Sequence, residues 1–169
     1  MKKLVLLFTG LILMAIAAKN VSAQNEASVA EAVANAKIIS PLTLANDLTF
    51  ELGTLVKPAT GTGTLTITAA ASSERTLGSG LTSIPGDLWR PARFIVTGDD
   101  AQSFSITKPA TITLSGTTDD LTVTTTISSD ETGVTTSGGT FTFYVGGSMD
   151  VPSTVAPGSY TGTYEVSIA

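Results

Sequence analysis

Thr140-Phe141-Thr142-Phe143-Tyr144-Val145-Gly146-Gly147 decides the reading of the fold through its alternation. Phe141, Phe143 and Val145 share one parity, and Thr140 and Thr142 take the other. A strand has a period of two, so one set points to one face of a sheet and the other set to the opposite face. An apolar face packs on a core, and a threonine face stays in water. Threonine suits the wet face because its branched Cβ fits the pleat while its hydroxyl stays solvated. The paired glycines that follow predict a bulge or bend before Met149.

The same texture extends outward in both directions. Leu48, Phe50 and Leu52 alternate with Thr49 and Glu51, and Leu65 and Ile67 alternate with threonines. Phe94 with Val96, Phe104 with Ile106, and Ile112 with Leu114 repeat the pattern. Leu121, Val123 and Ile127 share parity, as do Tyr160, Tyr164, Val166 and Ile168. Gly, Pro, Asp and Ser punctuate these runs at short intervals, and no helix-period segment interrupts them after Asn35. The spacing predicts one antiparallel β-sandwich of about seven to ten strands over residues 35–169. The inward residues are expected to be Phe50, Leu65, Ile67, Phe94, Val96, Phe104, Ile106, Val123, Phe141, Phe143, Tyr164 and Val166. Ala36 to Leu44, with Ile38, Ile39 and Leu42, reads as a first strand. Ala156-Pro157-Gly158-Ser159 places Pro and Gly where a type II turn wants them. Residues 70–91 lack sustained alternation and are too long for an ordinary loop, so one or two short edge strands are expected around Thr82 to Ile84.

The N-terminus reads differently. Met1-Lys2-Lys3 is followed by an uncharged, mostly apolar run from Leu4 to Ala18, short for a bilayer span. Val21-Ser22-Ala23 places small residues before Gln24. Residues 1–23 therefore read as a secretory signal peptide, with an exported product in the periplasm, at the cell surface or outside the cell. Residues 24–34 read as a mobile N-terminal lead, although Ser28 and Glu31 have capping-box spacing. The remainder holds no second long apolar run, so no membrane span is expected in the mature chain.

Composition excludes much chemistry. The 169 residues include nine basic and fourteen acidic side chains. Three of the basic ones, Lys2, Lys3 and Lys19, lie in the signal, so the remainder carries a formal charge of −8. That balance argues against nucleic acid or anionic lipid as a main partner. There is no His and no Cys, hence no His- or Cys-based catalytic site, no such metal site and no disulfide. Nucleophile-elbow, P-loop and dinucleotide motifs are missing as well. The expectation is a non-enzyme with no cofactor and no metal. Three acidic pairs, Asp99-Asp100, Asp119-Asp120 and Asp130-Glu131, could offer oxygens to calcium. Asp also belongs in turns for backbone reasons, and that reading is preferred. Trp89, the one tryptophan, sits beside Arg90 and near Arg93. These three form a candidate interaction surface, weighed against a loop Trp that closes one end of the core.

Four stretches carry a resemblance. They are Ala36 to Leu44, Asp47-Leu48-Thr49-Phe50-Glu51-Leu52-Gly53, Pro91-Ala92-Arg93-Phe94-Ile95-Val96-Thr97-Gly98, and Ala156 to Ile168. The last, with Pro157-Gly158, Tyr160, Gly162-Thr163-Tyr164, Val166 and Ile168, is the most specific. Together they resemble an exported bacterial domain family of unknown function. They are similar, more distantly, to the spore coat U domain and to pilins of archaic chaperone–usher fimbriae. The resemblance implies an immunoglobulin-like sandwich and no catalytic residues. The functional expectation is an exported structural protein, pilin-like or coat-forming, whose partners are copies of itself or related surface subunits. An extracellular glycan- or protein-binding module is the alternative. Either the chain completes its own sandwich or residues 24–34 serve as a donor strand; self-completion is preferred, because Val29 and Val33 with Glu31 between them make a weak filler.

Overall fold

The computed structural model describes residues 30–169. The expected signal peptide, residues 1–23, and the first part of the lead lie outside the described residues. Ala30 to Lys37 carries neither strand nor helix and is exposed throughout.

From Ile38 to Ala169 the chain forms a compact all-β unit with no helix. Twelve strands follow in order: β1 (Thr43–Leu48), β2 (Leu55–Val56), β3 (Thr62–Ile67), β4 (Arg75–Leu77), β5 (Thr82–Ser83), β6 (Ala92–Thr97), β7 (Ser103–Thr107), β8 (Thr111–Ser115), β9 (Asp120–Ile127), β10 (Thr132–Val134), β11 (Thr140–Pro152) and β12 (Ser167–Ile168). Seven of them run five residues or more. Every pairing is antiparallel.

The organising element is β11. Its first half pairs with β6, from Thr140 opposite Thr97 to Val145 opposite Ala92. Its second half pairs with β3, from Gly147 opposite Ile67 to Pro152 opposite Thr62. Across that handover β9 pairs continuously, from Val145 opposite Ile127 to Met149 opposite Val123. The seven-stranded sheet thus curls into an open half-barrel, with β1 and β4 at the ends of its main path and β8 beyond β9. A smaller sheet orders β10-β7-β12, and β2 pairs with β5.

The predicted alternation becomes two adjoining cores. One gathers Leu65, Ile67, Ile112, Val123, Met149 and Val151; the other gathers Phe94, Val96, Phe104, Ile106, Phe143 and Val145. Strand β11 contributes to both. Of the twelve expected inward residues, eight are buried, while Phe50, Phe141, Tyr164 and Val166 are half-buried against these clusters. Thr125 points inward on β9, where its hydroxyl donates to the Pro109 carbonyl, so the polar atom is satisfied.

Several expectations are corrected. No residue is inserted at Gly146-Gly147, because the register with β9 is unbroken through both. The glycines are there because backbone lies against them: a Cβ at Gly146 would stand 2.3 Å from the Ile67 carbonyl oxygen. The first strand begins at Thr43, not Ala36. Pro41 has no N–H for a ladder, and the Ser40 N–H donates to the Asp99 carboxylate at 2.7 Å instead. Ile38 and Ile39 are left exposed. Leu48 to Leu52 is not a strand of its own; Glu51 makes a single bridge with Arg90. Gly158 does not take the positive φ of a type II turn. Residues 70–91 contain the two short strands β4 and β5.

Candidate functional site

Trp89, Arg90 and Arg93 each have a partner within the chain. The Trp89 ring packs half-buried against the first core, with the Arg75 guanidinium over it at 5.2 Å. Arg90 donates to the Thr49 carbonyl and hydroxyl, and Arg93 pairs with Asp47. The first two sit at the single bridge that joins Glu51 to Arg90, and Arg93 lies on β6 opposite Leu48.

Behind Trp89 stands a pair that the sequence left unread. Arg75 donates two hydrogen bonds to Asp87, at 2.6 and 3.0 Å, with both side chains largely buried (9% and 7% exposed). Asp87 also accepts the Thr54 N–H at 2.8 Å. This fork ties β4, the loop before Trp89 and the segment entering β2 together. The Arg75 guanidinium and the Thr54 N–H hold the Asp87 carboxyl below its ordinary range. The stability it contributes is therefore present above the usual carboxylate range and lost as pH falls through the lowered value. Asp87→Asn is expected to lower the melting temperature by several degrees at neutral pH and to flatten its decline in acid. An unchanged acid profile would show that the pair does not hold these segments.

The acidic turns are used for backbone. Asp99 accepts from Ser40, Asp100 from Gly138 and Asp119 from Ala156, at 2.7–2.8 Å. Among the described residues no three acidic side chains converge as a metal would need.

Two of the concave regions bear on the rims and the closing segment. The first is a trough of about 590 Å³. Its rims are Leu52 to Lys57 on one side and Val155 to Tyr160 on the other, and Leu114, Leu121, Met149 and Val151 form its floor. The Arg75–Asp87 fork fixes the first rim through Thr54. The Asp119 bond to Ala156 and the Tyr160 hydroxyl donating to the Ala156 carbonyl fix the second. Lys57 spans the two, its ammonium donating to the Val155 carbonyl at 2.7 Å.

The second region accompanies the closing segment. Thr161 bonds Ser115 in both directions, and Ser167 and Ile168 pair with Thr107 and Ile106. Between them, Gly162 to Val166 forms no ladder, and a trough of about 710 Å³ opens against Thr107 to Thr113. Pro109, facing it, has no N–H to offer.

The family described as a domain of unknown function (DUF4402) matches residues 42–169. The chain belongs to this family. Comparison with curated proteins and with solved structures returns no match. The DUF4402 match begins one residue before β1, so it takes in all twelve strands and both troughs and leaves out the exposed lead. No helix of the described residues is long and apolar enough to cross a membrane.

Tyr164 lies where the closing segment crosses the second core, and burial pushes its phenol up to about 12. The folded chain holds that proton more tightly than an unfolded one, whose phenol titrates near 10. The contribution is therefore full below pH 10 and is lost as pH rises through 12. The melting temperature is expected to decline between pH 10 and 12, and less steeply in Tyr164→Phe. The same slope in both proteins would remove Tyr164 as the cause.

Proposed function

We propose that this chain is an exported, non-catalytic structural subunit of the bacterial surface or periplasm. In this reading its fold is an immunoglobulin-like sandwich, and its partners are copies of itself or related subunits. One observation carries the proposal: β1 and the closing segment are both strand edges. Among the described residues β1 pairs with β6 alone and β12 with β7 alone. An open edge offers unpaired N–H and C=O groups to a neighbouring chain. Ahead of β1, Ala30 to Pro41 is exposed and bears Val33 (83% exposed), Ile38 (95%) and Ile39 (49%).

The test is antibody labelling of the native cell surface in the electron microscope. Labelled filaments or a coat are expected; diffuse label with a purely monomeric secreted product would overturn the proposal. Self-completion remains the preferred arrangement, because Val29 and Val33 with Glu31 between them make the lead a weak filler. Deleting residues 24–34 is accordingly expected to leave a folded monomer. Heat-resistant ladders in the full chain that vanish on deletion would instead make the lead a donor strand.

A further inference from the structure

The first trough has a property that a mere packing defect would lack. Its floor is aliphatic, with Leu114, Leu121, Met149 and Val151, and its lining holds a single charged side chain, Lys57. The Lys57 ammonium has three N–H donors, and one hydrogen bond, to the Val155 carbonyl, is recorded for it. Among the described residues no carboxylate stands within 4 Å of it, since the three ion pairs there are Arg75–Asp87, Arg93–Asp47 and Lys108–Glu131. Asp119, which is tied to this rim, has Oδ2 on the Ala156 N–H. A half-buried cation with donors to spare therefore borders an apolar slot in a chain that is otherwise acidic.

The slot's shape and size add to this. Each rim is six residues long, at most about 20 Å when extended. The volume of about 590 Å³ lies in the range typical of small-ligand sites, roughly 300–1,000 Å³. Both rims are held from behind by hydrogen-bonded side chains, the first by Asp87 and the second by Asp119 and Tyr160. Such a slot is preformed and does not need the ligand to open it. An elongated apolar tail can lie on the floor, and an anionic head can replace or join the Val155 carbonyl at the ammonium.

We propose that this trough binds a carboxylate amphiphile, a free fatty acid, with the tail along Leu114, Leu121, Met149 and Val151 and the carboxylate on Lys57. The occupant is anionic because the lone lining charge is a cation. It is apolar behind the head because the floor side chains neither donate nor accept.

The probes are dodecanoate, below its micelle threshold, and dodecan-1-ol, titrated into the purified protein. Dodecanoate is expected to raise the melting temperature and to bind about tenfold more tightly than the alcohol at low salt, as a charge-assisted contact implies. Half-molar salt is expected to erase most of that preference, and Lys57→Gln to erase it. Equal binding of acid and alcohol at low salt would overturn the proposal, as would no binding of either or a preference that survives Lys57→Gln. Should Lys57→Gln not fold, the salt series on the unaltered protein decides alone. Two other occupants have their own arms. Pelleting with phosphatidylglycerol vesicles without uptake of free dodecanoate would mean a bilayer surface instead. Capture of a peptide of residues 30–42 that dodecanoate cannot displace would mean a segment of this chain. Either result overturns the fatty-acid assignment.

Discussion

Phe143→Ala is expected to destabilise the fold by about 3–5 kcal/mol, the cost of a large aromatic deleted from a close-packed interior. Phe143 is fully buried on β11 and stacks on Phe94, with ring centroids 5.2 Å apart and planes within 11°. Phe94 in turn meets the Tyr164 ring edge-on at 6.5 Å, and Phe141 lies between Phe143 and Phe104 at 6.4 and 5.3 Å. Removing the central ring leaves the others with a void that the surrounding strands cannot close, because β6 and β9 hold β11 by ladders. Denaturant unfolding measures the effect. Thr142→Ala, on the wet face of the same strand, is the control and should stay within about 0.5 kcal/mol. A loss below 1 kcal/mol at Phe143 would contradict the packing described.

The second large effect is expected at Gly146. A Cβ there would meet the Ile67 carbonyl oxygen at 2.3 Å and the Ala69 nitrogen at 2.8 Å, both backbone atoms that no side-chain rotation can move aside. Gly146 also pairs with Thr126 of β9 on the other edge, so β11 cannot shift away without breaking that ladder. Gly146→Ala is therefore expected to cost about 2–4 kcal/mol, as overpacking with backbone displacement does. Gly158 supplies the contrast. Nothing lies within 4 Å of a Cβ placed there, and its φ is not positive. Gly158→Ala should be neutral or stabilise by up to about 1 kcal/mol through the unfolded chain. Equal melting temperatures for the two variants would refute the close approach at Gly146.

What the sequence disclosed, and what it withheld, follows from the range of the interactions. Alternation is local, so Leu65 with Ile67, Phe104 with Ile106, and Phe141 with Phe143 could be assigned to a face before any partner was known. The two roles of β11 could not, because a change of partner from β6 to β3 leaves no trace in parity: Val145 and Gly147 keep to the same face. The paired glycines suggest a bulge or a bend; the unbroken register with β9 removes the bulge, and the close backbone of β3 and β9 accounts for the glycines. Pro41 has no N–H for a ladder, and the first strand begins beyond it, at Thr43. Arg75 and Asp87 lay in the stretch without alternation, twelve residues apart, and only their joint burial identifies them as a pair. The aliphatic trough was beyond reach for a different reason. Its rims are about a hundred residues apart along the chain, and its floor residues each read individually as core.

Val145 and residues 147–149 are paired with a neighbour on both edges, while Gly162 to Val166 forms no ladder. In solvent deuterium these two stretches should mark opposite ends of the exchange hierarchy. Amides in the middle of β11 can open only when both halves of the molecule come apart together, so their protection should equal the global unfolding free energy. Those of the closing segment should exchange through local excursions that leave everything else in place. The single long strand therefore joins two cores into one cooperative unit, and the closing segment is the part of that unit able to detach without destroying it.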